Sequence, residues 1–117
     1  MRVLVTAGQV YGRLDDNKLV GNRVRGIWAV KFAQALQLKG HSVTLLVPDT
    51  FAKNPASGVK VITHNGFHDY MENCRDLAPD LDAAVMAAAV VNWIPAEPIK
   101  GKMATHGYEV GDRINIP

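Results

Sequence analysis

The chain opens on an apolar run that must be covered on both sides. Val3, Leu4 and Val5 are consecutive nonpolar residues, and Thr6-Ala7-Gly8 follows at once. A strand without polar alternation belongs in a parallel sheet flanked by helices, not in a sheet with one wet face. The small residues after it let the backbone turn sharply. The pattern returns at Ser42–Val47 (SVTLLV), stopped by Pro48-Asp49, and in shorter form at Val59–Thr63. Between the first two runs, Ala29, Phe32, Ala33 and Leu36 keep the spacing of one buried helix face. Lys31, Gln34, Gln37 and Lys39 take the other face, and Gly40 suits the left-handed residue that closes a helix. Phe67–Leu77 reads as a second helix, ended by Pro79. Within Leu81–Val90 the first half is expected to be a strand by its place in the alternation, although alanine favours helix. Phe51–Gly58 is a loop by its Asn, Pro, Ser and Gly, and Tyr108–Ile114 is expected to form a hairpin turning at Gly111-Asp112.

Strands alternating with helices define an α/β fold with a mostly parallel sheet. With 117 residues there is room for one small domain, 1–117. In such sheets ligands sit beyond the carboxyl ends of the strands. That singles out the loop after the first strand, Pro48-Asp49, and the segment after Ala88. A net charge of +2 is too small to argue for nucleic acid. One cysteine, Cys74, excludes an internal disulfide framework and a cysteine-rich zinc site, and fits a reducing compartment. No apolar run reaches transmembrane length, and the N-terminus reads as a strand, so a cytoplasmic protein without membrane contact is expected.

Three segments carry residue types with chemistry. In TAGQVYG, Thr6–Gly12, small residues let backbone N–H groups approach a phosphate, or serve chain geometry alone. Gly8 and Gly12 have a dehydrogenase-like spacing. The third glycine is absent and Asp49 lies too far along for the ribose-binding acid, which disfavours a nicotinamide site. The second segment is LDDNKLVGNRVRG, Leu14–Gly26, a long loop with Lys18, Asn22, Arg23 and Arg25. Its cations suit phosphate or carboxylate, its asparagine suits an acyl or amide group, and Asp15 and Asp16 are available to neutralise it as a solvated loop. The third is AAAVVNWIPAEPIKGK, Ala87–Lys102. Its alanines leave room for a flat ligand or for tight packing against a helix. Asn92 can bond a hydroxyl or base edge, and Lys100 and Lys102 follow two prolines on irregular chain. His64 and His68 lack a third ligand nearby, so no metal site is expected. His41 and His106 are expected at the surface, Cys74 in the core, and Trp28 and Trp93 in core or interface packing.

Read in order, these segments resemble the phosphopantothenate–cysteine ligase family, whose first motif has the form T-A-G-x-T-x-E-P-I-D-x-V-R-x-I-x-N-x-S-x-G. Here the same register runs T-A-G-Q-V-Y-G-R-L-D-D-N-K-L-V-G-N-R-V-R-G, matching at Thr6, Ala7, Gly8, Asp15, Asn22 and Gly26, with Lys18 for arginine. AQALQLKGHSVTLLV is similar to the family's A-x-x-x-x-x-G-H-x-V-T-L-V, and VMAAAVVNWIPAEPIKGK to its A-A-A-V-A-D-Y-R-P-A followed by K-I-K-K. Asn92 replaces an aspartate, Ile94 an arginine, Val24 and Arg25 stand for serines, and Gly12-Arg13 for Glu-Pro. The resemblance implies a Rossmann-like three-layer fold, truncated relative to the family. The missing half would then come from another chain, or the chain is a half-length relative or a fragment.

The resemblance also implies a reaction. Phosphopantothenate's carboxylate would be activated by CTP, or ATP, with Mg²⁺ on the phosphates, and cysteine would then attack. Asn22 would hold the acyl-phosphate, and Lys100 or Lys102 would face the triphosphate. Gly8, Lys18, Arg23, Arg25, Ala88, Ala89 and Asn92 would line the substrate and nucleotide pocket. A homo-oligomer, in the simplest case a dimer, is expected. The competing expectations are an idle relative that binds a nucleotide or other phosphate ligand, and an interaction subunit whose open sheet edge pairs with another chain.

Overall fold

The computed structural model describes residues 1–51, 55–104, 111 and 113. In chain order the elements are β1 (Arg2–Thr6), β2 (Gln9–Val10), β3 (Gly12–Arg13), β4 (Leu19–Val20), α1 (Ile27–Leu38), β5 (Ser42–Pro48), β6 (Lys60–His64), α2 (Phe67–Leu77), a 3-10 turn at Ala78–Asp80, β7 (Ala83–Met86) and β8 (Ala89–Val90). The main sheet has four strands in the order β6-β5-β1-β7, and every pairing in it is parallel. The chain leaves β1 toward β5 on one side and comes back to β7 on the other. That reversal is the topological switch point of a doubly wound sheet.

Alternate residues of the strands feed two cores. Val3, Val5, Val43, Leu45 and Val47 face α1, which contributes Ala29 and Ala33. Leu4 and Leu46 face the opposite side, where Tyr70 of α2 joins them with Cys74 and Leu77 at the margin. Sheet between helices gives the three layers expected from strands without polar alternation. Burying a side chain such as Leu45, which is fully covered, contributes about 1.5–3 kcal/mol.

The helices begin and end for identifiable reasons. α1 closes through Gly40, at φ 93°, with its N–H on the Gln37 carbonyl at 3.0 Å. α2 ends at Leu77 because Pro79 cannot continue it, and the 3-10 turn absorbs the change of direction. β7 forms despite its alanines, since Val3–Thr6 offers it a parallel partner at Ala83–Met86. The loop expected at Leu14–Gly26 holds β4, which pairs antiparallel with β3, and β2 precedes them at Gln9–Val10. The hairpin expected at Tyr108–Ile114 lies outside the described residues, apart from Gly111 and Arg113. Among the described residues no helix is long and apolar enough to cross a membrane.

A close backbone approach joins the start of α1 to the turn after β1. Gly26, at φ 72°, caps α1, and a Cβ there would lie 2.5 Å from the Gly8 nitrogen. Gly8, at φ 79°, is itself enclosed by Phe51 and Pro48. Gly26→Ala should therefore destabilise the fold by about 2–4 kcal/mol, through a left-handed φ and a clash with backbone that cannot yield cheaply. Chemical denaturation compared with wild type checks this; an unchanged midpoint contradicts it.

Candidate functional site

β1 and β7 do not separate cleanly where they end. Thr6 pairs with Met86, and Gln9 pairs with Ala89, so the same register resumes in β2 and β8 after a break of two residues. Across the break, the buried Thr6 Oγ1 accepts from the Ala88 N–H at 3.1 Å. The Ala89 N–H donates to the Gly8 carbonyl at 2.9 Å, and the Val91 N–H to the Val10 carbonyl at 2.9 Å. The Thr-Ala-Gly turn and the alanine run are thus bonded to each other directly. Small residues are needed because both backbones kink within one hydrogen bond of each other.

Asn22 enters the same region from the long loop. Its Nδ2 donates to the Val90 carbonyl at 3.3 Å, and the side chain is exposed. Gly21 makes the approach possible, since a Cβ there would meet Gln9 Oε1 at 2.5 Å. Arg23 and Arg25 follow on exposed chain leading into α1. The first turn of α1 has neither a side-chain cap nor an acidic residue. Asn92 is exposed and follows Val91.

A buried carboxylate holds Lys18 and ties its loop to the segment that carries the other two lysines. Asp15 is 2% exposed and accepts from the Asn17 N–H at 2.7 Å, the Lys18 N–H at 2.5 Å and the Met103 N–H. Lys18 Nζ lies 3.9 Å from the same carboxylate. The bonds from Lys18, then those from Met103 and Asn17, keep the Asp15 carboxyl below the usual carboxylate range, against the opposing effect of its burial. Two backbone bonds reinforce the junction: Ile99 N–H to the Leu14 carbonyl and Asp16 N–H to the Gly101 carbonyl, both 2.8 Å. Asp15 was read in the sequence as a neutralising partner; its larger part is to staple the loop to the segment bearing Lys100 and Lys102.

Two clefts flank this staple. One, of about 200 Å³, is lined by Arg13, Asp16, Phe67, Asp69, Ile94 and Lys100 among others. The other, of about 190 Å³, includes Tyr11, Lys18, Asp49, Thr50 and Asn65. Gly8, Asn22, Ala88, Ala89 and Asn92 line neither. The candidate residues therefore fall into two groups: Gly8, Asn22, Ala88 and Ala89 joined by hydrogen bonds at the strand ends, and Lys18, paired with Asp15, with Lys100 and Lys102 on the segment whose backbone is tied to the Asp15 loop. Gly12 and Tyr11 connect the groups along the chain.

Other expectations sort clearly. Cys74 packs at the edge of the core, and burial pushes its thiol upward. His64 ends β6 and is 1% exposed, with burial lowering its pKa, while His68 lies on α2; among the described residues no three His, Cys, Asp or Glu side chains converge for a metal. His41 is half-buried and lies 3.2 Å from the terminal amine through Nδ1. Core packing for the tryptophans is corrected: Trp28 is 65% and Trp93 82% exposed. Trp28 stacks on Phe32, with ring centroids 5.2 Å apart, and Phe32 in turn packs against the core between α1 and the sheet.

A mostly parallel α/β sheet with its switch point bridged by small residues defines a Rossmann-like fold. The chain belongs to the family described as the DNA/pantothenate metabolism flavoprotein C-terminal domain, which matches residues 1–114. The coenzyme A biosynthesis bifunctional protein CoaBC of Mycolicibacterium smegmatis is 31% identical over 103 residues, covering 88% of this chain and 25% of that protein. The CoaBC of Mycobacterium tuberculosis is 30% identical over 102 residues, covering 87% and 24%. Among solved structures, the C-terminal domain of a CoaBC superposes with TM-score 0.73 at 25% identity, over 82% of this chain and 48% of that one. A Cab2 mutant in complex with phosphopantothenate-cysteine shares the fold at TM-score 0.70 and 14% identity, over 91% and 51%. The chain thus spans about a quarter of the curated relatives' length and about half of these structures.

The Asp15 staple has a pH signature. A carboxyl held low in the fold stabilises it above the unfolded pKa of about 3.9, and that stabilisation is lost as pH falls through the folded value. Asp15→Asn should melt below wild type at neutral pH, and the gap should close below about pH 4. Thermal melts across that range check it; a constant gap contradicts the assignment.

Proposed function

We propose that the chain acts in coenzyme A assembly as the first half of a phosphopantothenate–cysteine ligase, making an acyl-nucleotide from CTP, or ATP, for attack by cysteine. One observation carries the reading: Gly8, Asn22 and Ala88–Val90 meet through direct hydrogen bonds beyond the carboxyl ends of β1 and β7. These are the matched motif segments, and strand ends at a switch point are where such folds bind ligands. The relatives named for coenzyme A biosynthesis, and the fold neighbour carrying phosphopantothenate-cysteine, support the substrate class.

The chemistry has two displacements. A carboxylate oxygen of phosphopantothenate attacks the α-phosphorus, and pyrophosphate leaves with the electrons of the broken P–O bond. The cysteine nitrogen then attacks the acyl carbon, an amide forms, the nucleoside monophosphate leaves, and the nitrogen gives up its proton. Both reactants of the first step are anions, so the site must offset their repulsion and hold them in line. In this reading Lys18, Arg23, Arg25, Lys100 and Lys102 supply positive charge, and the uncapped N-terminus of α1 supplies backbone donors. The neutral Asn22 amide holds the acyl-phosphate by donating and accepting at once. Ala88 and Ala89 keep side-chain bulk off the strand ends, and Asn92 faces the nucleotide. Mg²⁺ would neutralise phosphate charge; with no three-ligand cluster among the described residues, the phosphates would supply most of its ligands.

In this reading the partner of the chain is a second copy. Ala84 and Met86 are exposed on β7, an edge of the main sheet, and offer apolar surface to cover. A cytoplasmic location follows from the nucleotide substrate and fits the single thiol.

Asn22→Ala tests the reading. Calorimetry with Mg-CTP should show affinity within about twofold of wild type, while pyrophosphate release or amide formation falls about a hundredfold. Normal turnover by the variant would overturn the role of Asn22. Wild type that takes up no nucleotide would overturn the reading, and tight binding without pyrophosphate release would favour the idle relative.

A further inference from the structure

Asp49 occupies a position that its place in the sequence conceals. It was set aside as a ribose ligand because it lies far beyond Gly8. The separation comes from the long loop before α1, which lengthens the chain without moving β5 away from β1. In space Asp49 follows Pro48 at the carboxyl end of β5, the strand paired directly with β1. An acid after the second strand of a doubly wound sheet stands where ribose hydroxyls are bound.

The carboxylate is built in rather than dangling. Its backbone N–H donates to the His64 carbonyl at 2.9 Å, tying it to the neighbouring strand. The Tyr11 hydroxyl donates to Asp49 Oδ1 at 2.6 Å. Tyr11 is 5% exposed and its ring lies 6.2 Å from that of His64. Burial and the bond to Asp49 push the Tyr11 hydroxyl far above the ordinary phenol range, so it remains a donor at any working pH. Asp49 itself is exposed at the rim of the cleft.

Among the described residues, Asp49 is the carboxylate of this cleft that forms no ion pair. Asp15 is committed to its backbone donors, and Asp16 to Arg13 at 3.2 Å. The Asp49 contact named here is a neutral phenol, which leaves the negative charge in place. A carboxylate offers about four acceptor positions, so one bond from Tyr11 leaves room for a vicinal diol. Lys18 lines the same cleft of about 190 Å³. An acceptor of hydroxyls and a cation for phosphate thus share one opening, matching the sugar and phosphate of a nucleotide.

We propose that Asp49, oriented by Tyr11, accepts the ribose hydroxyls of the bound nucleotide and makes the chain selective for ribonucleotides. This rests on the nucleotide reading above. The test compares Mg-CTP with its 2′,3′-dideoxy analogue by calorimetry, in wild type, Asp49→Asn and Tyr11→Phe. Wild type should bind the dideoxy compound about 10- to 100-fold more weakly, the range of a hydrogen bond to a charged group. Asp49→Asn should bring the two ligands within about threefold, by weakening CTP alone, and Tyr11→Phe should reduce the preference in part. Equal affinities in wild type, or a preference that survives Asp49→Asn, would overturn the assignment while leaving nucleotide binding intact. Binding of neither ligand would overturn both readings. The wild-type comparison needs no variant, and Asp49 is exposed, so its isosteric change leaves the core untouched.

Discussion

The structure depends on a register that survives a break. β1 and β7 pair, both chains kink, and the pairing resumes in β2 and β8 with the same offset. The Thr6 hydroxyl holds the junction by accepting from Ala88, where a nonpolar side chain of the same size would leave an N–H unmet in a covered position. Everything downstream is placed from this junction. Tyr11 and Gly12 continue from β2, the loop returns past Gln9 at Gly21, and α1 starts against Gly8. At the switch point of this doubly wound sheet the pairing resumes beyond the break, so the strand ends are tied to each other by β2 and β8.

Much of this was legible in the residues. Strands without polar alternation required cover on both faces, and the two cores deliver it. The helix spacing of Ala29, Phe32, Ala33 and Leu36, and the closing Gly40, needed only local rules. The alanine run at Ala83–Met86 was decided against its own propensity by its place in the alternation, and a parallel neighbour explains why that was sound. What local rules could not supply was partnership across distance. Asp15 looks like a solvated charge until Met103, far along the chain, donates to it. Asp49 looks remote until β5 lies beside β1. For the tryptophans the residues left core and interface both open, and α1 turns its small alanines inward and leaves Trp28 exposed.

The candidate site was legible as segments but not as a shape. The ordered motifs named Gly8, Asn22 and the alanines, segments that the structure joins by hydrogen bonds at the strand ends. They did not separate that group from Lys18 and the lysine segment tied to the Asp15 loop, because spacing along a chain carries no information on which loop a carboxylate ties down. The glycines illustrate the same limit. Gly8 and Gly26 match a motif, and their positive φ and mutual contact show that packing alone already demands them.

Both indoles of this chain stand in water, one beside the cap of α1 and the other next to Asn92. Their emission in the native state should already resemble that of an unfolded chain, so intrinsic fluorescence is a poor monitor of denaturation here. The same placement makes it a sensitive optical reporter of whatever settles against either arm.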